Sequence, residues 1–243
     1  MDVITGIHAT TARWLTAATA VATVWAVLSS APVPSASAQP CPDVEVVFAR
    51  GTGEPPGVGG IGQAFVDALS SRVGSKSVGV YPVNYPASGD FGSGIDFART
   101  FVDGIRDAGT HVQSTAASCP NTRIVLGGYS QGAALAGFVT SAAVPKDIPA
   151  QYVSYIPAPM PPDVAGHVAA VTLFGRPSNE FLVENGAPPI TIGPLYVPKT
   201  IDLCAPGDTI CDGAPGGAPT IAHVSYPVNG MTEQAADFTV SRL

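Results

Sequence analysis

Short apolar runs rich in β-branched residues alternate along the chain with longer stretches in which apolar residues recur at helical spacing. The runs that predict strands are VEVVFA (44–49), VGVYPVNYP (78–86), RIVLGG (123–128), VAAVTLFG (168–175) and TIDLCA (200–205). The stretches that predict helices are residues 61–74, 95–117, 131–143 and 232–243. This alternation favours an α/β fold, a three-layer sandwich in which helices cover both faces of a central, mainly parallel five-stranded sheet.

The first forty residues have a different pattern. Arg13 is followed by the uncharged stretch WLTAATAVATVWAVL and then by Ala36-Ser37-Ala38, which is the order of a secretory signal. The apolar stretch (14–28) is shorter than the roughly 20 residues of a membrane-spanning helix. We therefore expect a signal peptide over residues 1–38, a single domain over 39–243, no stable membrane span and an extracellular protein. An uncleaved anchor and retention at the cell envelope are the alternatives.

Composition excludes some classes of partner. The 243-residue chain is 46% hydrophobic and 12% charged, so it can bury a substantial core. Its formal net charge of −7 argues against a nucleic-acid partner, which would require a basic face.

All the cysteines follow the predicted signal peptide, and there are four of them: Cys41, Cys119, Cys204 and Cys211. An even number of cysteines in an exported chain favours disulfides, and four cysteines allow three pairings. The short spacing of Cys204 and Cys211 makes a local loop the simplest choice, which leaves Cys41 for Cys119.

A glycine motif and the histidines raise the question of a cofactor. GVGGIG (57–62) has the G-x-G-x-x-G spacing of a dinucleotide-binding loop, but such a site needs an acidic residue after the next strand. The next predicted strand ends near Asn84 without one, so we interpret the glycines as a turn into a helix. No C-x-x-C pair is present and the histidines are not spaced as ligands on one element, so we expect no cofactor and no metal.

Ser130 lies in Gly128-Tyr129-Ser130-Gln131-Gly132, between a predicted strand and a predicted helix. This is the G-x-S-x-G arrangement of a nucleophile elbow, in which the glycines relieve crowding and the helix N-terminus can stabilise negative charge. The context predicts a nucleophilic serine in a fold of the α/β-hydrolase type, without a large lid.

A serine nucleophile needs a histidine base held by a carboxylate, and in this fold type the chain order is serine, acid, histidine. His223 follows the last predicted strand and is the strongest candidate base. Asp208 is the favoured acid because a Cys204–Cys211 disulfide would hold its loop. Asp202 and Asp212 are the other acids upstream of His223.

The other histidines fit the role of base less well. His167 opens the predicted strand at 168 and is the runner-up, with Asp147 and Asp163 as the acids between it and Ser130. His111 precedes the serine in a helical pattern, and we interpret it as a surface or helix-end residue.

Four ordered blocks resemble the cutinase family of secreted serine esterases, and in particular its bacterial branch: ARGTGE, CPNTRIVLGGYSQGAALA, LCAPGDTICD and AHVSY. The resemblance implies Ser130 as nucleophile, Asp208 as acid and His223 as base. It implies an oxyanion hole from Thr52 and Gln131, where Thr52 replaces the serine usual in fungal cutinases and Gln131 acts through its backbone amide. It also implies the disulfides Cys41–Cys119 and Cys204–Cys211.

The expected activity is hydrolysis of carboxylic esters with short to medium acyl chains, in cutin-like polyesters or lipids, through an acyl-enzyme. The partner would be an ester or lipid substrate, met at an interface, and the protein would be a monomer. Alternatives are a phospholipase, thioesterase or acetylxylan esterase with the same triad, and a non-catalytic secreted lipid-binding antigen.

Overall fold

The computed structural model describes residues 40–146 and 148–243. Five strands form one sheet in the order β2-β1-β3-β4-β5. They are β1 (Val44–Ala49), β2 (Val78–Pro82), β3 (Arg123–Tyr129), β4 (Val168–Phe174) and β5 (Thr200–Leu203). All neighbouring strands run parallel. The predicted signal peptide (1–38), Gln39 and Asp147 lie outside the described residues.

The helices are α1 (Gly59–Ser70), α2 (Ile95–Ser118), α3 (Gln131–Val139), α4 (Ala150–Val153), α5 (Asn179–Glu184) and α6 (Met231–Val240). Short 3₁₀ turns occur at Phe91–Ser93, Pro162–Gly166, Val197–Lys199 and Ile221–Val224. Among the described residues no helix is long and apolar enough to cross a membrane.

The central strands β1, β3 and β4 are buried on both faces, as their continuous apolar runs require. On one face, Phe48 of β1 and Phe174 of β4 pack against Phe65 of α1, and α6 joins the same cluster. On the other face, α2 and α3 pack against alternate strand residues such as Val47 and Leu126. The predicted α/β fold, a three-layer sandwich around a parallel five-stranded sheet, is therefore confirmed.

Several predicted elements end earlier than their sequence patterns indicate, and hydrogen bonds explain two of these cases. The strand predicted to reach residue 86 ends at Pro82, and the Asn84 N–H bonds to the Asp107 carboxylate of α2 at 2.8 Å instead of continuing the ladder. The helix predicted over 131–143 ends at Val139, where the Thr140 hydroxyl bonds back to the Gly137 carbonyl at 2.8 Å.

The structure contains two disulfides, Cys41–Cys119 and Cys204–Cys211. The first spans 78 residues and ties the N-terminal end of the domain to the end of α2. The second spans 7 residues and encloses Asp208 in a small loop after β5. Because the strands are parallel, the loops after β1, β3, β4 and β5 meet at one edge of the sheet.

Candidate active site

Ser130 occupies a strained turn between β3 and α3. Its backbone φ is 52° and its ψ is −117°, a conformation uncommon for a residue with a side chain. A Cβ at Gly128 would lie 2.1 Å from the Gly132 carbonyl oxygen, and one at Gly132 would lie 2.0 Å from that of Ala49. Both glycines are therefore required by the close approach of strand, helix and the chain leaving β1.

The hydroxyl of Ser130 faces His223. The Ser130 Oγ and His223 Nε2 atoms are 2.9 Å apart. The other ring nitrogen, Nδ1, is 2.9 Å from each carboxylate oxygen of Asp208. The structure thus brings together the three residues that the sequence predicts as nucleophile, base and acid, although they lie after β3, after β5 and in the turn Ile221–Val224.

Asp208 is fully buried, with 0% of its surface exposed. Its carboxylate accepts hydrogen bonds from the Tyr226 hydroxyl at 2.6 Å and from the Ile210 N–H at 3.1 Å, in addition to its contact with His223. Burial alone would raise the pKa of Asp208, but the hydrogen bonds from His223 and Tyr226 outweigh it and hold the pKa below the ordinary value. The carboxylate is therefore ionised at neutral pH.

Two residues that the sequence analysis did not assign complete this arrangement. Tyr226 is fully buried, and its hydroxyl donates to Asp208 while accepting from the Ala205 N–H at 3.2 Å. Gly175, after β4, has a φ of 55°, and a Cβ there would lie 2.9 Å from the Tyr226 hydroxyl and 3.0 Å from Asp208 Oδ2. In the sequence, two features point to these residues: Tyr226 is the tyrosine of AHVSY, and Gly175 directly follows an apolar predicted strand.

The predicted oxyanion-hole residues follow the adjacent strands β1 and β3. Gln131 is the first residue of α3, and half-buried Thr52 lies in the turn after β1. The Gln131 side chain is buried, and its Nε2 donates to the Ser88 carbonyl at 3.0 Å. This contact links α3 to the loop of residues 85–94. The side chain therefore has a structural partner that its position in the sequence does not predict.

The turn that carries Thr52 is held by its own charged residues. Glu54 accepts hydrogen bonds from the Gly51 N–H at 2.6 Å and the Gly60 N–H at 2.7 Å. Buried Arg50 donates from Nε to the Glu54 carbonyl at 2.8 Å. Of the glycines at 57–62, Gly57 therefore lies before α1 and the others lie in its first turn, where Glu54 already binds the Gly60 amide.

The remaining candidate acids lie away from the base. The Asp202 carboxylate pairs with Arg176 Nε at 2.7 Å, and the Asp212 carboxylate accepts from the Ala214 N–H at 2.8 Å. Asp163 is exposed in the turn Pro162–Gly166. The predicted alternative acid Asp147 lies outside the described residues.

The two other histidines among the described residues, His111 and His167, lie toward the amino edge of the sheet. His167 precedes β4, and its carbonyl accepts from the Ile124 N–H at the start of β3. The interpretation of His111 as a surface or helix-end residue is wrong, because it lies within α2 and stacks on the Tyr81 ring with centroids 3.4 Å apart. Its Nε2 is 3.1 Å from Glu45 Oε2, so a polar partner inside the fold holds it there.

One group of side chains has the composition of a metal site. A sulfur of Cys204, a sulfur of Cys211 and a carboxylate oxygen of Asp208 lie within 4.8 Å of one another. The two sulfurs are joined in a disulfide, so neither can act as a thiolate ligand.

Exposed apolar side chains lie in the turn that carries the histidine and in the loop of residues 85–94. Ile221 is 86% exposed and Val224 is 55% exposed, on either side of His223 in the same turn. Phe91, which is 61% exposed, lies in the loop that Gln131 contacts through Ser88. The site therefore has an apolar rim open to solvent.

A parallel sheet between helices, with a serine on a strand-to-helix elbow beside a histidine–aspartate pair, defines a protein of the α/β-hydrolase type. The cutinase family model matches residues 40–243. The chain belongs to the cutinase family and is a carboxylic ester hydrolase.

Curated relatives include three proteins of Mycobacterium tuberculosis H37Rv. "Probable carboxylesterase Culp7" is 65% identical over 71% of this chain and 89% of its own length. "Carboxylesterase Culp1" is 52% identical over 86% of this chain and 85% of its own. "Phospholipase Culp4" is 46% identical over 96% of this chain and 93% of its own.

Among solved structures, a Trichoderma reesei cutinase in complex with a phosphonate inhibitor is 32% identical. The match has a TM-score of 0.59 and covers 83% of this chain and 77% of that one.

Proposed function

We propose that this protein is a secreted serine esterase in which Ser130 is the nucleophile, His223 the base and Asp208 the acid. The observation that carries the proposal is the continuous contact from Ser130 Oγ to His223 Nε2 at 2.9 Å and from His223 Nδ1 to Asp208 at 2.9 Å. A buried, ionised carboxylate fixes the tautomer in which Nε2 can accept a proton.

The reaction has two halves. Ser130 Oγ attacks the ester carbonyl carbon as its proton moves to His223 Nε2, and collapse of the tetrahedral intermediate expels the alcohol, which takes that proton. Water then attacks the acyl-enzyme, loses a proton to His223, and the acid leaves as Ser130 is reprotonated. The backbone amides of Thr52 and Gln131 would hold the oxyanion in both halves.

The apolar rim supports a substrate that is presented at a surface. Ile221 and Val224 expose large apolar side chains in the turn of His223, and Phe91 exposes one in the loop of residues 85–94; an acyl chain or polyester segment would lie against them. We therefore propose that the substrates are short to medium acyl esters of lipids or cutin-like polyesters. The partner of the enzyme is then such an ester, presented at an interface.

The test uses a fluorophosphonate probe and a p-nitrophenyl ester series of increasing chain length. Ser130→Ala and His223→Ala should lose labelling, and kcat should fall by at least about 10⁴-fold. Ser114→Ala, an exposed serine of α2, and His167→Ala, the alternative base, are the matched controls and should retain activity. Full activity of Ser130→Ala or His223→Ala would refute the proposal.

Phospholipid hydrolysis is the second candidate, because a relative that shares 46% identity over 96% of this chain is named a phospholipase. Fatty-acid release from diacylphosphatidylcholine vesicles at a rate close to that for short esters would favour it. Cleavage of short esters alone would favour the first candidate.

We also propose export of the chain as residues 39–243 after removal of residues 1–38. The two disulfides support an oxidising destination. Amino-terminal sequencing of the protein recovered from the culture medium should begin at Gln39, and a start at Met1 would contradict cleavage.

We further propose that the protein is a monomer. Analytical sedimentation should give the mass of one chain, and the mass of a dimer would contradict that prediction.

A further inference from the structure

Tyr129, the residue before Ser130, contacts two other parts of the site. Its hydroxyl donates a hydrogen bond of 2.8 Å to the backbone carbonyl oxygen of His223. Its ring centroid lies 5.1 Å from that of the His223 imidazole. The ring also packs against Gly51, where an added Cβ would lie 2.5 Å from Tyr129 Cδ1, directly before Thr52.

The contact with His223 matters because base and acid belong to one segment of chain. Asp208 and His223 both lie between β5 and α6, where the regular element is the short turn Ile221–Val224. The bonds of Tyr226 to Asp208 and Ala205 also lie within that segment. These bonds orient the imidazole relative to the carboxylate, but they do not fix the segment relative to Ser130.

Tyr129 supplies a bond between that segment and the nucleophile's strand, because it is the last residue of β3, which leads into the elbow. It is 6% exposed, and burial raises the pKa of its phenol well above the ordinary value. The hydroxyl therefore stays protonated and remains a donor to the histidine carbonyl.

We propose that Tyr129 is a positioning residue whose hydroxyl bond to the His223 backbone sets the distance between base and nucleophile. This inference rests on the proposed roles of Ser130 and His223. Catalysis requires such groups to be held within about 0.5 Å of the productive geometry, so loss of the bond should slow chemistry without weakening substrate binding.

The test is Tyr129→Phe, which removes the hydroxyl and keeps the ring. We expect kcat per active site, counted by titration with the fluorophosphonate, to fall about 5- to 10-fold while KM stays within about twofold of wild type. The second-order rate constant for phosphonylation should fall by the same factor. Because this constant does not depend on the folded fraction, a partly folded preparation still gives a valid result.

The matched control is Tyr81→Phe. Tyr81 is a partly buried tyrosine of β2, and its hydroxyl bonds to the Asp107 carboxylate of α2 at 3.0 Å rather than to a residue of the triad segments. This variant should lose some thermal stability and retain wild-type kcat. A kcat of Tyr129→Phe within twofold of that of Tyr81→Phe, or a change in KM alone, would overturn the inference.

A second variant covers the case in which Tyr129→Phe does not fold. Gly51→Ala would place a methyl group against the Tyr129 ring and displace it, so we expect a lower kcat with unchanged KM, and an unchanged kcat would refute the inference. Failure of the proposed function has a different signature, namely wild-type activity in Ser130→Ala or His223→Ala.

Discussion

The described residues contain two histidine–carboxylate pairs, one at the carboxyl edge of the sheet and one toward its amino edge. At one edge, His223 Nδ1 lies 2.9 Å from Asp208, which also accepts from the Tyr226 hydroxyl at 2.6 Å. At the other, His111 Nε2 lies 3.1 Å from Glu45, which also accepts from the Thr115 hydroxyl at 2.8 Å. The two pairs share the same parts: an imidazole, a carboxylate shielded from water and a hydroxyl that orients it.

The difference lies in what the imidazole offers beyond the carboxylate. The Nε2 of His223 faces Ser130, which a strained elbow places beside a helix N-terminus. The Nε2 of His111 faces Glu45 itself, and the Tyr81 ring covers one face of the imidazole. A histidine–carboxylate pair therefore orients a ring, and a nucleophile within reach of the second nitrogen is what turns that ring into a base.

The largest expected effect separates the two pairs by function. Asp208→Asn should lower kcat by on the order of 10⁴-fold, because the amide no longer stabilises the imidazolium and favours the wrong tautomer. Glu45→Gln, the matched change at the other pair, should leave kcat within twofold of wild type. Steady-state kinetics on a p-nitrophenyl ester, with active sites counted by titration, measures both. Equal losses in the two variants would contradict the comparison.

The next effect concerns the space around the catalytic pair. Gly175→Ala would place a methyl group 2.9 Å from the Tyr226 hydroxyl and 3.2 Å from His223 Cε1, at a φ of 55°. We expect kcat to fall about 100-fold and stability to fall by about 1–3 kcal/mol, because the side chain both strains the backbone and displaces the pair.

Gly74→Ala separates these two causes. Gly74 has a φ of 67° and nothing within 4 Å of the position of an added Cβ, so the variant should lose stability and retain kcat. Measuring urea unfolding and kcat for both variants gives the contrast. A similar loss of kcat in both would show that crowding of the catalytic pair is not the cause.

Much of this arrangement could be predicted from the sequence because it depends on local pattern and chain order. The apolar run and glycines around Ser130 predict the strand, the elbow and the helix, and the structure has β3 and α3 there. Asp208 and His223 follow from the required order and from the cysteines on either side of the acid. Their separation in sequence is large, but parallel strands bring the loops to one edge.

The partners of the tyrosines could not be predicted in this way. An apolar pattern indicates that Tyr129 and Tyr226 are buried, but the atom that accepts each hydroxyl depends on the path of an irregular segment. His111 was misread for a related reason. In α2 it shares a helix face with Asp107 and Thr115, at i−4 and i+4, and that polar stripe was the signal that it faces partners within the fold.

The smallest expected effect is the contribution of the second pair to the pH dependence of stability. Burial would raise the pKa of Glu45, but the hydrogen bonds from His111 and Thr115 outweigh it and hold the pKa below the ordinary value. The folded state therefore binds this proton less readily than the unfolded chain. The resulting stabilisation is complete above the unfolded pKa of about 4.3 and is lost as pH falls through the folded value.

Glu45→Gln should consequently lower the free energy of unfolding by about 1 kcal/mol at pH 6, and the difference from wild type should shrink as the pH falls from about 5 towards 3. The groups nearest the carboxylate are His111 and Thr115 of α2, with Tyr81 of β2 stacked on the imidazole and bonded to Asp107. Urea unfolding at a series of pH values measures the effect, with Asp163→Asn, an exposed acid, as control. A constant difference between wild type and Glu45→Gln across this range would mean that the ionised carboxylate does not contribute, and the pair at this edge would then stabilise the fold only through packing of the Tyr81 and His111 rings.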